Sequence, residues 1–305
     1  MHSSFVVSLL LSATASAAAG QSRARAATAA FEGRQFFDFR NLDSAHTPDL
    51  IDNWEQAQQA GPTHDYFKTP EWADTWAIMG WGRDASERSP VRMTNTWNNV
   101  YIQANDDDDP TTSSFLTLRT ARHEGFQSAA EFESKRQDYQ YVSMKMYART
   151  IGDAGACTAM FTYLLPEGGR VQEADLEILT KEENNKVHYT NQPSYEDGQE
   201  FPEATREFSP MPTFTHSDDL LLTVIVGEVT LNTPWNTWQE HELVWTPGSS
   251  DWYVDGELVA SIQFQAPVDP ALIIFNSWSD GGVWTGESKF SHDSIFPQIG
   301  RSHVQ

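Results

Sequence analysis

The stretch VQEADLEILT (residues 171–180) places carboxylates at Glu173, Asp175 and Glu177 and apolar side chains at Ala174, Leu176 and Ile178. Alternation at every second position is the pattern of a β-strand, whose successive side chains point to opposite faces. The apolar face is then a core face, and the acidic face belongs where a bent sheet opens into a cleft. Three like charges side by side repel one another, so the strand gains nothing structural from them.

Spacing allows a chemical use. Glu173 and Glu177 sit roughly 13 Å apart between Cα atoms on a flat strand, and each arm reaches about 4 Å. Leaning inward on a curved strand, their carboxyls can approach to about 5 Å, the separation that retaining glycosidases use for nucleophile and acid/base. Three neighbouring acids cannot all ionise at their free pKa values. At least one proton stays on the trio, which is what a general acid needs, and the titration belongs to the group. An acidic solvent face and a calcium site are the other readings of the same spacing.

Further strands surround this one. SFLTLRTA (114–121), YVSMKMYART (141–150), NKVHYTNQ (185–192), EHELVWTP (240–247), DWYVDGELVASIQ (251–263) and LIIFNSW (272–278) alternate in the same way. Turn residues separate them, most plainly Asp255-Gly256, a two-residue hairpin signal. Many short strands without alternating helices predict an all-β sandwich. Two stretches read as helical, DLIDNWEQAQQA (49–60) and SAAEFESKRQ (128–137), the second equally as a loop turn. NDDDDP (105–110) reads as a solvated hairpin tip, with a calcium site as the alternative.

The chain has 305 residues, enough for one large domain. Residues 1–19 have the layout of a signal peptide, a short apolar run ending in small residues. Residues 20–30 read as a flexible lead-in, or as a short pro-segment with an Arg-x-Arg site, and 31–305 as a single domain. A secreted protein, extracellular or in the cell wall, is expected. The formal net charge of −23 disfavours nucleic acid and anionic membrane and suits a neutral polymer such as carbohydrate. Cys157 is the only cysteine, so no disulfide braces the fold, and it reads as a small buried hydrophobe. No zinc-ligand spacing occurs. Neither metal nor cofactor is expected, and the protein is expected to be a monomer.

EADLE (173–177) resembles the Glu-x-Asp-x-Glu signature of glycoside hydrolase family 16, which includes β-1,3- and β-1,3-1,4-glucanases and cell-wall transglycosylases. GACTAMFTYL (155–164) resembles the strand before that signature in filamentous-fungal members, and VHYTNQPS (187–194) the strand after it. WQEHELVWTPGSSDWYVDGELVA (238–260) resembles the family's hairpin, and IIFNSWSDGGVWTG (273–286) its cleft-lining strand and loop. The resemblance runs in order from about 140 to 286.

It implies a concanavalin-A-like jelly roll of two curved antiparallel sheets with a glycan cleft on the concave one. It also implies Glu173 as nucleophile, Glu177 as acid/base and Asp175 as the residue tuning them. Period two adds His188, Thr190 and Gln192 on the next strand, and Asn276 and Trp278 on the NSW strand, as sugar contacts, with Trp284 a further aromatic candidate. Trp245 and Trp252 are expected in the core, and His241 in a structural role. The implied activity is retaining hydrolysis of β-1,3 or β-1,3-1,4 glucan. Transglycosylation on cell-wall glucan and non-catalytic, lectin-like glycan binding are the alternatives.

Three positions depart from the family pattern. Val171 stands where bacterial members often carry Trp, and Gln239 stands where His is frequent. ESKFSHDSIFPQIGRSHVQ (287–305) shows no closing alternation, which predicts an atypical tail, a lost strand and an exposed sheet edge.

Overall fold

The computed structural model describes residues 33–108, 110–207, 233–288 and 296–304. The expected signal peptide at 1–19 and the lead-in at 20–30 lie outside the described residues. Alternating runs build two large sheets. The first joins, in spatial order, β18 (Glu257–Ile262), β17 (Ser249–Val254), β16 (Gln239–Thr246), β9 (Val142–Ile151), β20 (Phe296–Val304), β6 (Ser114–Leu118) and β5 (Val100–Ala104), with β1 (Gln35–Asp38) also paired to β20.

The second sheet carries the acidic strand. Its order is β15 (Thr205–Glu207), β12 (His188–Gln192), β11 (Gln172–Leu179), β10 (Cys157–Leu164), β19 (Leu272–Trp278), β8 (Phe126–Ser134), β4 (Arg92–Asn95) and β3 (Gly82–Arg83). Two short strands, β2 (Trp76–Ile78) and β7 (Ala121–His123), also pair with β8. β13 (Tyr195–Glu196) and β14 (Gln199–Glu200) form a small separate hairpin. Among the described residues, every strand pairing is antiparallel except β4 with β8.

One core lies between the sheets. Ala174, Leu176 and Ile178 of β11 join Met144 and Met146 of β9 and Trp245 and Trp252 of the first sheet in a single buried cluster. Both tryptophans are fully buried, as the alternation requires. His241 is buried too, and desolvation lowers its pKa to about 4, so it sits neutral as a structural residue. The hairpin joining β17 to β18 turns on Asp255 and Gly256, both with positive φ (49° and 82°). That is the primed turn their residue types favour.

Three expectations need correction. The run 128–137 is neither helix nor turn: it supplies most of β8, where ladder pairing on both sides overrides the helical bias of Ala, Glu, Lys and Arg. Of the helix expected at 49–60, only α1 (Trp54–Gln58) forms, capped by Asn53, whose side chain accepts from the Gln56 amide at 2.9 Å.

The third correction concerns the tail. Residues 296–304 form a nine-residue strand inside the first sheet, not a missing one. It pairs along β9 on one side and with β6 and β1 on the other. A register shift between Ile299 and Arg301 interrupts its period, which is how a bulge hides a strand from an alternation test. At the 105–110 tip, Asp107 is also more than a solvated acid. It accepts from Arg149 Nη2 at 2.7 Å and from Trp238 Nε1 at 3.3 Å, tying the connection to the sheet.

Candidate active site

Pairing in the second sheet brings the site together. Glu173, Asp175 and Glu177 stand opposite Tyr163, Phe161 and Ala159 of β10, and those stand opposite Leu272, Ile274 and Asn276 of β19. Asn276 and Ile274 in turn face Glu131 and Glu133 of β8. Side chains directly opposite share a face, so the acids of β11 and those of β8 lie at two sides of one surface. That surface lines a cleft of about 430 Å³, to which Trp81 and Trp278 also contribute.

Within the trio, Asp175 is buried (2% exposed). Burial, with Glu173 and Glu177 on either side, holds its carboxyl well above the usual range. Gln192 Nε2 donates to Asp175 Oδ2 at 3.2 Å, and Oδ1 has no fixed donor. Burial and the flanking acids both favour the protonated form of Asp175, whose hydrogen bond to Glu173 would then support the carboxylate there. Burial also pushes Glu173 up to about 7, while the hydrogen bond from Asp175 pulls it back and Glu177 pushes it further up. Glu177 is raised by burial, against hydrogen bonds from Trp284 and Cys157 and the nearby His188. Trp284 Nε1 donates to Glu177 Oε1 at 3.1 Å, and Cys157 Sγ donates to the same oxygen at 3.3 Å.

The loop carrying Trp284 is fixed by Asp280, whose Oδ1 accepts from the Gly282 amide at 2.9 Å and from Thr285 Oγ1 at 3.2 Å. Asp280 Oδ2 pairs with Arg83 at 2.6 Å. The Arg83 guanidinium lies 5.4 Å from the Trp278 ring centroid, a cation–π contact that supports the ring beside the cleft. Gly155, at the entry to β10, packs against this region of the chain. A Cβ there would lie 2.5 Å from the Glu287 carbonyl oxygen, and its φ of +115° favours glycine.

The sugar-contact candidates divide. Asn276 and Trp278 line the cleft, and Trp284 is exposed beside Glu177. His188, Thr190 and Gln192 share the acidic face and stand opposite Glu177, Asp175 and Glu173. His188 and Thr190 are, however, buried. His188 Nε2 meets Glu182 Oε2 at 2.7 Å and Thr190 bonds to Thr205 at 3.4 Å, so both back the acids from the side. Cys157 is buried as expected, and it also has a polar partner.

Sequence reading missed Glu131, Glu133, Trp81, Phe161 and Tyr163. Glu131 is buried and its pKa pushed up to about 7 by burial. Its Oε1 accepts from Trp81 Nε1 at 2.8 Å and from Asn95 Nδ2 at 3.4 Å, and its Oε2 from Asn276 Nδ2 at 3.3 Å. The signal that finds these acids is the same as for the trio: Glu131 and Glu133 alternate with the buried core residues Ala130 and Phe132. Among the described residues, no group of three or more His, Cys, Asp or Glu is placed to hold a metal ion, and no helix is long and apolar enough to cross a membrane.

Comparison with known proteins agrees on the architecture. No family model matches the chain. A 64-residue stretch is 38% identical to the β-glucanase of Bacillus licheniformis, covering 20% of this chain and a quarter of that relative. The solved structure of a Bacillus licheniformis β-glucanase superposes with a TM-score of 0.57 at 18% identity, covering 90% of this chain and 98% of that one. A prokaryotic β-1,3-1,4-glucanase (lichenase) derived from a mouse hindgut metagenome gives 0.56 at 17% identity, covering 90% and 99%. A family 16 endo-glucanase from Bacteroides ovatus gives 0.52 at 11% identity, covering 76% and 94%. The fold of this chain is thus the jelly roll of the family 16 glycoside hydrolases that its sequence resembles.

Proposed function

We propose that this chain is a secreted, retaining endo-β-glucanase acting on β-1,3 or β-1,3-1,4 glucan by double displacement. The observation that carries this reading is the acidic trio: three carboxyls on one strand face, all raised in pKa, opening on a cleft with Trp278 beside them. The kinds of protein it resembles in fold, glucanases by name, point the same way.

In the first step Glu173 in its carboxylate form, which the hydrogen bond from Asp175 favours against burial, attacks the anomeric carbon and forms a glycosyl-enzyme. Glu177 gives its proton to the departing glycosidic oxygen as that bond breaks. In the second step Glu177, now a carboxylate, takes a proton from water, whose oxygen displaces Glu173 with overall retention. Trp278 offers an apolar ring to the C–H face of a pyranose, and Asn276 offers an amide to its hydroxyls. The cleft binds a neutral glucan chain, and residues 1–19 direct the protein out of the cell.

Incubation of the purified protein with laminarin, lichenan and cellulose tests this, alongside Glu173→Gln and Glu177→Gln. Reducing ends of retained anomeric configuration are expected from at least one β-glucan with the unsubstituted protein. Equal release by the substituted proteins would overturn the assignment, as would glucan binding without turnover. Products longer than the starting oligosaccharide would move the reading to transglycosylation at the same carboxyls.

A further inference from the structure

We propose that Cys157 is a positioning residue for Glu177: with Trp284 it holds Oε1 of that carboxyl by two donated hydrogen bonds, so that the proton transferred to a leaving oxygen sits on Oε2. This rests on the reading of Glu177 as the acid/base.

The argument starts from donor chemistry. An indole N–H can only donate, so Trp284 Nε1, 3.1 Å from Oε1, fixes that oxygen as an acceptor. Sγ of Cys157 meets the same oxygen at 3.3 Å from the neighbouring strand β10. Burial, Glu177 and Asp175 all push the thiol pKa well up, so the sulfur keeps its hydrogen and acts as the donor. A proton on Oε1 would point at two other donated hydrogens. The neutral carboxyl therefore carries its proton on Oε2.

The surroundings explain why a thiol suits this position. Cys157 is fully buried among Ala159, Leu179 and Trp278. A thiol packs there as a small hydrophobe and still supplies a weak donor. The charged and titratable groups around Glu177 are Glu173 and Asp175 on its own strand, His188 opposite it on β12, and Cys157 on β10. Trp284 comes from the loop after β19. The two donors favour the carboxylate form, opposing the burial that raises it.

Since Cys157 is the chain's only cysteine, its S–H stretching band in the infrared reports on a single bond. In the unsubstituted protein this band is expected to shift with pH at the midpoint of the high-pH limb of kcat/KM. Glu177→Gln should abolish that pH dependence. Cys157→Ala removes a donor to the anion and should raise the limb by about half to one pH unit, and Cys157→Ser should return it.

A band insensitive both to pH and to Glu177→Gln overturns the proposal. So does a limb left in place by Cys157→Ala in a protein that folds. Should Cys157→Ala not fold, the infrared titration decides by itself. If the band titrates and responds to Glu177→Gln while every glucan goes uncut, the thiol's placement holds and the glucanase reading falls.

Discussion

β11 and β8 lie in the same sheet, separated by β10 and β19, and both set acids at alternate positions against one core. Glu173 on one and Glu131 on the other are both pushed to about 7, in each case mainly by burial. What differs is the company each carboxyl keeps. Glu131 has one acid beside it, Glu133, which pushes it further up, but three donors, Trp81, Asn95 and Asn276, tie its carboxyl to the fold. Glu173 faces two other acids and draws its hydrogen bond from a proton that Asp175 must hold. Equal pKa shifts can thus mark unequal roles. The partner set distinguishes a cluster built to pass protons from a carboxyl built to stay put.

The widest gap between the two should appear in turnover. Glu177→Gln removes the general acid and is expected to lower kcat by about 10²–10⁴-fold, with Glu173→Gln at least as severe because no covalent intermediate can form. Glu131→Gln keeps an acceptor and touches no reacting atom in the mechanism. Its kcat/KM on lichenan should fall by no more than about tenfold, the worth of one hydrogen bond. Comparable losses at Glu131 and Glu177 would dissolve the contrast.

A smaller effect should appear in stability against pH. Glu173 binds its proton more tightly folded than unfolded, so its ionisation costs the native state. That cost is absent below the unfolded value near 4.5, grows as pH rises, and is complete above about 7. Glu173→Gln should therefore stabilise the protein by about 1–3 kcal/mol at pH 8 and by little at pH 4. Chemical denaturation at the two pH values measures this, and a variant less stable at pH 8 would show that repulsion in the trio is not a strain on the strand.

The finest test concerns Glu131 alone. The Trp81 indole favours its anion, so Trp81→Phe should raise the Glu131 carboxyl above about 7, by roughly half to one unit. Carbon-detected NMR titration of the Glu131 side chain reads that shift directly. A downward shift would reverse the sign argued here.

How legible these regions were differs for physical reasons. β11 shows in the sequence because its apolar partners are Leu and Ile and its acids have no helical reading. β8 carries the same alternation, but Ser-Ala-Ala-Glu-Phe-Glu-Ser-Lys-Arg (128–136) has strong helical bias, and only its neighbours in the sheet override it. Trp81 lies far along the chain from the trio and reaches the cleft by tertiary packing, which no local pattern encodes. The polar face of β12 was readable to the residue, yet alternation fixes a face and not its exposure. His188 and Thr190 accordingly stand beside the acids, buried.

The position of β20 has a consequence for how the molecule assembles. Its ladders join Gln35 to Val304 and Leu116 to Ile299, so the first sheet closes only through pairings between stretches far apart in sequence. Such closures are paid in chain entropy before any contact rewards them, and they slow folding. Until β20 docks, β9 and β6 each present an open edge, the kind of surface along which one chain can add to another. Refolding yield should accordingly fall with protein concentration, and a strand invisible to pattern reading would govern whether the chain reaches its native state alone or in aggregate.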